Sequence, residues 1–251
     1  MKVALVFPGY SSQFVGMGKE LYDEYRVVQE FFEEASSCLN INFVKLIFAS
    51  SEDELKQMSN AYTSLFLIGC AIAQVLKQEG ITATMAAGYN TGEYAALWTA
   101  QGITLPDGLY LLSKYATIYA HHLQTSDVAM YEVTGIEHQE LQALCSEVTR
   151  GDDMVSIAIY ESSHRAYISG MNSACKRLIA LAEQIKKVRV KPAPLEIGLH
   201  SALMQPVLAA YQPYMEKADF KDLALPLITS VKAEGIVGGQ TVKAALLESI
   251  E

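Results

Sequence analysis

No apolar run in this sequence reaches the roughly 18–20 residues that span a bilayer. The longest candidate, Leu65 to Leu76, is too short and is interrupted by Gln74. The opening residues M-K-V-A-L-V-F-P lack the apolar h-region and small-residue cleavage site of a signal peptide and read as a strand. A membrane partner is not expected. Positive charge is scarce too, with 19 Lys and Arg against 28 Asp and Glu, a net charge of −9. That balance argues against nucleic acid as the main partner. Cysteine is sparse: Cys38, Cys70, Cys145 and Cys175 stand far apart, with no pair at metal-ligand spacing. They read as reduced, buried thiols of a cytoplasmic protein, and no metal is expected. His121, His122, His138 and His164 also lack metal spacing and read as solvated.

What is present is apolar material. Of 251 residues, 51% are apolar and 19% charged, enough for a packed core in one large domain, with or without an insertion. Lys2 to Pro8 reads as a buried strand ending in a Pro-Gly loop. Helices are expected over Gly18–Tyr25 and Val27–Leu39, from Ser51, over Asn60–Gly80, Gly92–Gly102 and Pro106–Leu123. Thr82–Ala87 is the strand between them. From Val128 the texture changes. Strands Ala129–Thr134, Met154–Tyr160, Arg165–Ser169 and Val188–Pro192 alternate with helices Glu137–Val148 and Asn172–Val188, the second with Asn172 as its expected cap. The order β-α-β-β-α-β is the ferredoxin-like pattern. Ser201–Ala218 reads as a helix, Leu225–Val231 as a strand and Gly239–Ile250 as a helix.

Three segments stand out together. One is Phe7-Pro8-Gly9-Tyr10-Ser11-Ser12-Gln13. Another is Gly88-Tyr89-Asn90-Thr91-Gly92-Glu93-Tyr94, a strand-turn-helix with the spacing of a G-x-S-x-G elbow but Asn90 in the serine slot. The third is Gly198-Leu199-His200-Ser201-Ala202-Leu203-Met204. In order and spacing they resemble the malonyl-CoA:acyl-carrier-protein transacylases and the acyltransferase domains of polyketide synthases. That family carries an F-P-G-Q-G-S-Q loop, a G-H-S-L-G-E-Y elbow and an H-x-x-x-M segment. The resemblance runs from the first residue to the last. It implies an α/β fold: a hydrolase-like parallel-sheet core, residues 1–127 and 197–251, with an inserted ferredoxin-like (β-α-β-β-α-β) subdomain at 128–196. It also implies a further strand and helices beyond Glu251. Whether the sequence is a natural short form or a cut one stays open here, and a cut edge beside Leu225–Val231 is expected to expose strand or apolar surface.

The family's reaction, as the resemblance implies it, is attack of the elbow serine on an acyl-CoA thioester. A histidine takes the proton, backbone N–H groups hold the oxyanion, and a carrier protein's phosphopantetheine thiol collects the acyl group. An arginine on a later helix grips the free carboxylate of malonate. This sequence departs at most of those positions. Asn90 replaces the serine, and a carboxamide nitrogen is delocalised into its carbonyl and is a poor nucleophile. Tyr89 replaces the adjoining histidine, and Tyr10 the glutamine whose backbone N–H serves the oxyanion hole. Tyr115 aligns with the arginine and brings no positive charge near pH 7; Lys114 is one residue off. His200 remains and is expected to face the cleft.

The expected site is therefore His200 and Asn90 at the catalytic positions, with Tyr10, Tyr89, Thr91 and Tyr115 on the substrate side. The tyrosines either fill volume or form a neutral pocket. Asn90 has a structural reading as well, because Asn tolerates positive φ. Lys176, Arg177, Lys186, Lys187, Arg189 and Lys191, offset by Glu183, form a basic stretch in an acidic chain. It is either a solvated helix face or a docking face for acyl-carrier protein or a polyketide synthase module. No tightly bound cofactor is expected. Acyl-CoA or a phosphopantetheine thioester is the expected ligand. Two functions fit: a pseudoenzyme of fatty-acid or polyketide biosynthesis that binds carrier or thioester, or a repurposed enzyme on a carrier-bound acyl group without a free carboxylate. In the second, His200 is the general base and Asn90 and Tyr115 donate hydrogen bonds.

Overall fold

The computed structural model describes residues 2–250. In chain order the elements are β1 (Ala4–Phe7), α1 (Lys19–Glu24), α2 (Arg26–Leu39), α3 (Phe43–Ala49), α4 (Glu52–Lys56), α5 (Met58–Gln78), β2 (Met85–Gly88), α6 (Gly92–Thr99) and α7 (Leu105–Thr125). Then come β3 (Val128–Thr134), α8 (His138–Val148), β4 (Val155–Ser162), β5 (Arg165–Met171), α9 (Asn172–Ala182) and β6 (Arg189–Pro192). Two short 3₁₀ turns lead into α10 (Gln205–Lys217), β7 (Leu227–Ile228), β8 (Gly235–Ile236) and α11 (Gly239–Glu248). The chain forms two compact units. One runs to Ala120 and resumes over Ala210–Ser249; the other is His121–Ala209 with Ile250.

The first unit is built on a sheet of order β1-β2-β7-β8. The pairs β1–β2 and β2–β7 are parallel, and β8 adds antiparallel to β7. Phe7, Ala86 and Leu227 are buried on one face, whereas Val6, paired with Ala87, is 72% exposed and Met85 39%. A parallel sheet normally buries both faces. The apolar surface of this one is therefore open at β1 and β2, where Val6 and Met85 lie. α5 supplies much of the core through Ala61, Tyr62, Phe66, Leu67 and Cys70. It is long and apolar enough by length and composition to cross a membrane, but 61% of that stretch is buried inside, as suits a core helix. α6 runs against it: a Cβ on Gly69 would lie 2.9 Å from the Ala95 Cβ.

The second unit contains the sheet β4-β5-β3-β6, antiparallel throughout. With α8 and α9 this is the ferredoxin-like arrangement. Its core joins Val133, Leu141, Ile157, Ile168, Cys175 and Leu178.

Several local expectations need correction. α3 was not anticipated; its start is set by Asn42, whose side chain accepts a hydrogen bond from the Lys45 amide at 2.9 Å. α9 stops at Ala182 and a turn leads into β6, so the helix is shorter than the pattern over Asn172–Val188. Asn172 opens that helix instead of capping it, and its amide donates to Asp127 at 2.5 Å. The expected strand at Leu225–Val231 shrinks to the two residues of β7. Cys38 is exposed; the other three cysteines are buried and all four are free. His122 is partly buried, and burial is the main cause lowering its pKa.

Candidate functional site

The elbow between β2 and α6 is held by glycine where the chain crowds itself. A Cβ on Gly88 would lie 2.1 Å from the Glu93 amide nitrogen, and one on Gly92 2.3 Å from the Phe7 carbonyl oxygen. At the tip Asn90 has φ 54°, the left-handed region that Asn tolerates better than most residues. Local bonds close the turn. Gly92 N–H donates to Tyr89 O at 3.0 Å, Glu93 N–H to Asn90 O at 3.1 Å and Tyr94 N–H to Thr91 O at 3.2 Å. Thr91 N–H donates to the Asn90 side-chain oxygen Oδ1 at 2.8 Å. Tyr89 is 46% exposed, while Thr91 is buried and its hydroxyl has no partner among the described residues.

The loop after β1 abuts this turn. A Cβ on Gly9 would lie 2.5 Å from Tyr89 O and 2.9 Å from Asn90 Cβ. The next residue, Tyr10, turns its ring towards α4 and α5. Its hydroxyl donates to Lys56 O at 3.1 Å, and its ring meets Tyr62 edge-on with centroids 6.0 Å apart. Tyr62 stacks on Tyr115 at 6.1 Å, and Tyr115 stacks on Tyr119 at 5.9 Å. Tyr211 from α10 tilts against Tyr115 at 5.2 Å and shares a 2.6 Å hydroxyl–hydroxyl bond with Tyr94. Tyr115 is thus set in an aromatic stack, and burial raises its pKa, so its phenol stays neutral. Lys114 points elsewhere, over the rings of Tyr110 at 5.3 Å and Tyr214 at 5.8 Å.

Glu93, the second residue of α6, is 97% buried by its 3% exposure, and sequence reasoning gave it no role. Its carboxylate accepts the Ser230 amide at 2.8 Å and so ties α6 to the segment after β7. Burial is the main influence on its pKa and raises it; bonds from Ser230 and Ser249 pull it back. A glutamate next to three apolar helix residues was the available signal.

In the second unit, Gly198 (φ +119°) and His200 (φ 39°) both take positive φ. A Cβ on Gly198 would lie 2.5 Å from His200 Nε2, so the imidazole lies over the bare Gly198 backbone. The neighbours of His200 are anchored to β5: the Ser169 hydroxyl donates to Leu199 O and lies 3.3 Å from the Ser201 hydroxyl. Among the basic residues, Lys176, Lys186, Lys187 and Arg189 are exposed. Arg177 is different. Its guanidinium donates to Val148 O at 2.7 and 3.1 Å and pairs with Asp153 at 2.7 Å, so its charge is used inside the subdomain.

The structure therefore gathers Tyr10, Tyr89, Asn90 and Thr91 around one turn of the first unit, with Tyr115 in the stack that Tyr10 joins. His200 and the basic residues belong to the second unit.

The sequence matches the acyl transferase domain over residues 4–245. The chain belongs to that family. Among acyl transferase relatives it is 29% identical to the malonyl CoA-acyl carrier protein transacylase of Bacillus subtilis (strain 168), over 99% of this chain and 78% of that one. Of solved acyl transferase structures, the acyl carrier protein S-malonyltransferase of Vibrio cholerae O1 superposes with a TM-score of 0.94 at 27% identity, over 100% of this chain and 82% of that one. A malonyl-transacylase in complex with its type II polyketide synthase acyl-carrier protein superposes with a TM-score of 0.92 at 25% identity, covering 100% and 81%.

Proposed function

We propose that this chain is a cytoplasmic acyltransferase homologue of fatty-acid or polyketide biosynthesis that binds acyl-carrier protein or its acyl thioester without transfer through a seryl ester. One observation carries the reading: the elbow is intact in backbone, yet its tip is Asn90, whose side-chain oxygen is bonded to the Thr91 amide. Covalent transfer at an elbow needs a nucleophile that can lose a proton, and a carboxamide has none. The Tyr115 stack supports the same view, because it sets a neutral ring where a malonyl carboxylate needs a cation. That stack also weakens the rival in which His200 is a general base and Asn90 and Tyr115 are donors. The relatives' names supply the partner class, a carrier protein whose thiol bears the acyl group. Lys176, Lys186, Lys187 and Arg189 form its docking face in this reading, with contacts that fade as salt rises. No cofactor takes part; acyl-CoA or the phosphopantetheine thioester is the ligand.

The test is a calorimetric titration of the chain with acetylated carrier protein, repeated with the triple variant Lys186→Glu, Lys187→Glu, Arg189→Glu. Saturable binding that weakens in the triple variant and at high salt is expected. Absence of saturable binding to either acetylated or malonylated carrier would overturn the proposal.

A further inference from the structure

We infer that Asn90 is an internal occupant of the oxyanion site: its own carbonyl oxygen takes the Thr91 N–H that a thioester carbonyl would otherwise use. The inference rests on the thioester-binding reading above and adds the switch that controls it.

In a strand-turn-helix elbow, the N–H of the residue after the tip is one of the donors for the acyl oxygen. Here that residue is Thr91, and its N–H is engaged by Asn90 Oδ1 at 2.8 Å. The three N–H groups that follow, on Gly92, Glu93 and Tyr94, bond to the backbone carbonyls of Tyr89, Asn90 and Thr91. Those partners are fixed by the turn itself. Only the partner of Thr91 is a side chain, so only this donor can be released by a rotamer change with the backbone in place. The substitute matches the ligand in kind, since a carboxamide C=O is an acceptor of the same type as a thioester C=O. The Thr91 hydroxyl itself is buried and lacks a partner among the described residues. Thioester binding at this turn therefore proceeds by exchange. Asn90 Oδ1 leaves Thr91 N–H, and the acyl oxygen takes its place.

The idea makes an ordering of variants that a donor role for Asn90 reverses. Asn90→Gly removes the internal acceptor and suits a backbone at φ 54° without strain. Asn90→Asp strengthens it, because a carboxylate accepts more strongly than an amide. The probe is the ketone analogue of acetyl-CoA, with a methylene in place of the thioester sulfur. Titration is expected to give roughly three- to tenfold tighter binding in Asn90→Gly than in the unaltered protein, the worth of one net hydrogen bond. Binding in Asn90→Asp is expected to be weaker than in either. Unfolding curves confirm that each variant is folded. Equal or weaker binding by folded Asn90→Gly overturns the inference, because Asn90 would then be a bystander or a donor to the ligand. So does failure of every variant to bind the analogue. Carrier-protein binding by the unaltered chain is scored separately and speaks only to the earlier proposal.

Discussion

At position 93 a carboxylate sits almost wholly out of water, facing the Ser230 amide. Its pKa is raised, first by burial. The folded state then keeps the proton over a pH range in which the unfolded chain has released it. The folded form binds more protons there, so stability falls as pH climbs from the ordinary carboxylate value through the raised one. Glu93→Gln keeps an acceptor for Ser230 and removes the titration. Denaturant unfolding at several pH values should show the unaltered protein losing ground to Glu93→Gln as pH rises through that window. A difference independent of pH would refute the assignment. Glu93→Ala leaves the Ser230 N–H without its acceptor and should cost about 1–3 kcal/mol below that window, the cost shrinking as pH rises through it. At Tyr115 the surroundings are rings on Tyr62, Tyr119 and Tyr211. Tyr115→Arg places a charge in that stack. It should lower stability by about 3 kcal/mol or more, the scale for an uncompensated buried charge. Malonyl-CoA binding should not improve. A folded, equally stable Tyr115→Arg that gains malonyl affinity would show the stack to be a pocket.

Arg177 illustrates how an element is pinned. Its fork ties α9 to the end of α8 through Val148 O and to Asp153 in the turn between α8 and β4. Arg177→Ala should destabilise the chain by about 1–3 kcal/mol by orphaning those acceptors, and Arg177→Lys should recover only part, lacking the planar fork. If Arg177→Ala instead leaves the unfolding midpoint unchanged and weakens carrier binding, its charge serves docking. Elements were legible where a pattern had room to repeat. The β-α-β-β-α-β run was readable because β3 and β4 alternate over their first residues and the helices between carry apolar stripes, as Leu141, Cys145 and Val148 do on α8. The end of α9 was not. Glu183 through Lys187 are acceptable helix residues, and only the need to turn into β6 stops the helix before them. β7 was overread because Leu225–Val231 is apolar beyond the two residues that pair. Glu93 was signalled only weakly, by its apolar neighbours: in one dimension a glutamate reads as solvated, and its hydrogen-bond partner lies 137 positions away.

For the whole molecule, the three motifs identify the family from the sequence, and the two units repeat its architecture with TM-scores of 0.92 and 0.94 against solved relatives. The elbow's glycines survive for steric reasons that the fold imposes on any residue at its tip. The tip residue answers to a different demand, a backbone at φ 54° that Asn tolerates, and that demand is not one for a nucleophile; this separates fold from chemistry here. The sequence revealed that Asn90 stands in the serine slot. That its oxygen is turned onto Thr91 N–H is set by the three-dimensional fold of the turn and is not readable from the sequence. The measurement that bears most directly on this separation is incubation of the chain with radiolabelled malonyl-CoA, acid quenching and counting of protein-bound label. The account predicts no acid-stable acyl label on the protein. A stoichiometric label would contradict it.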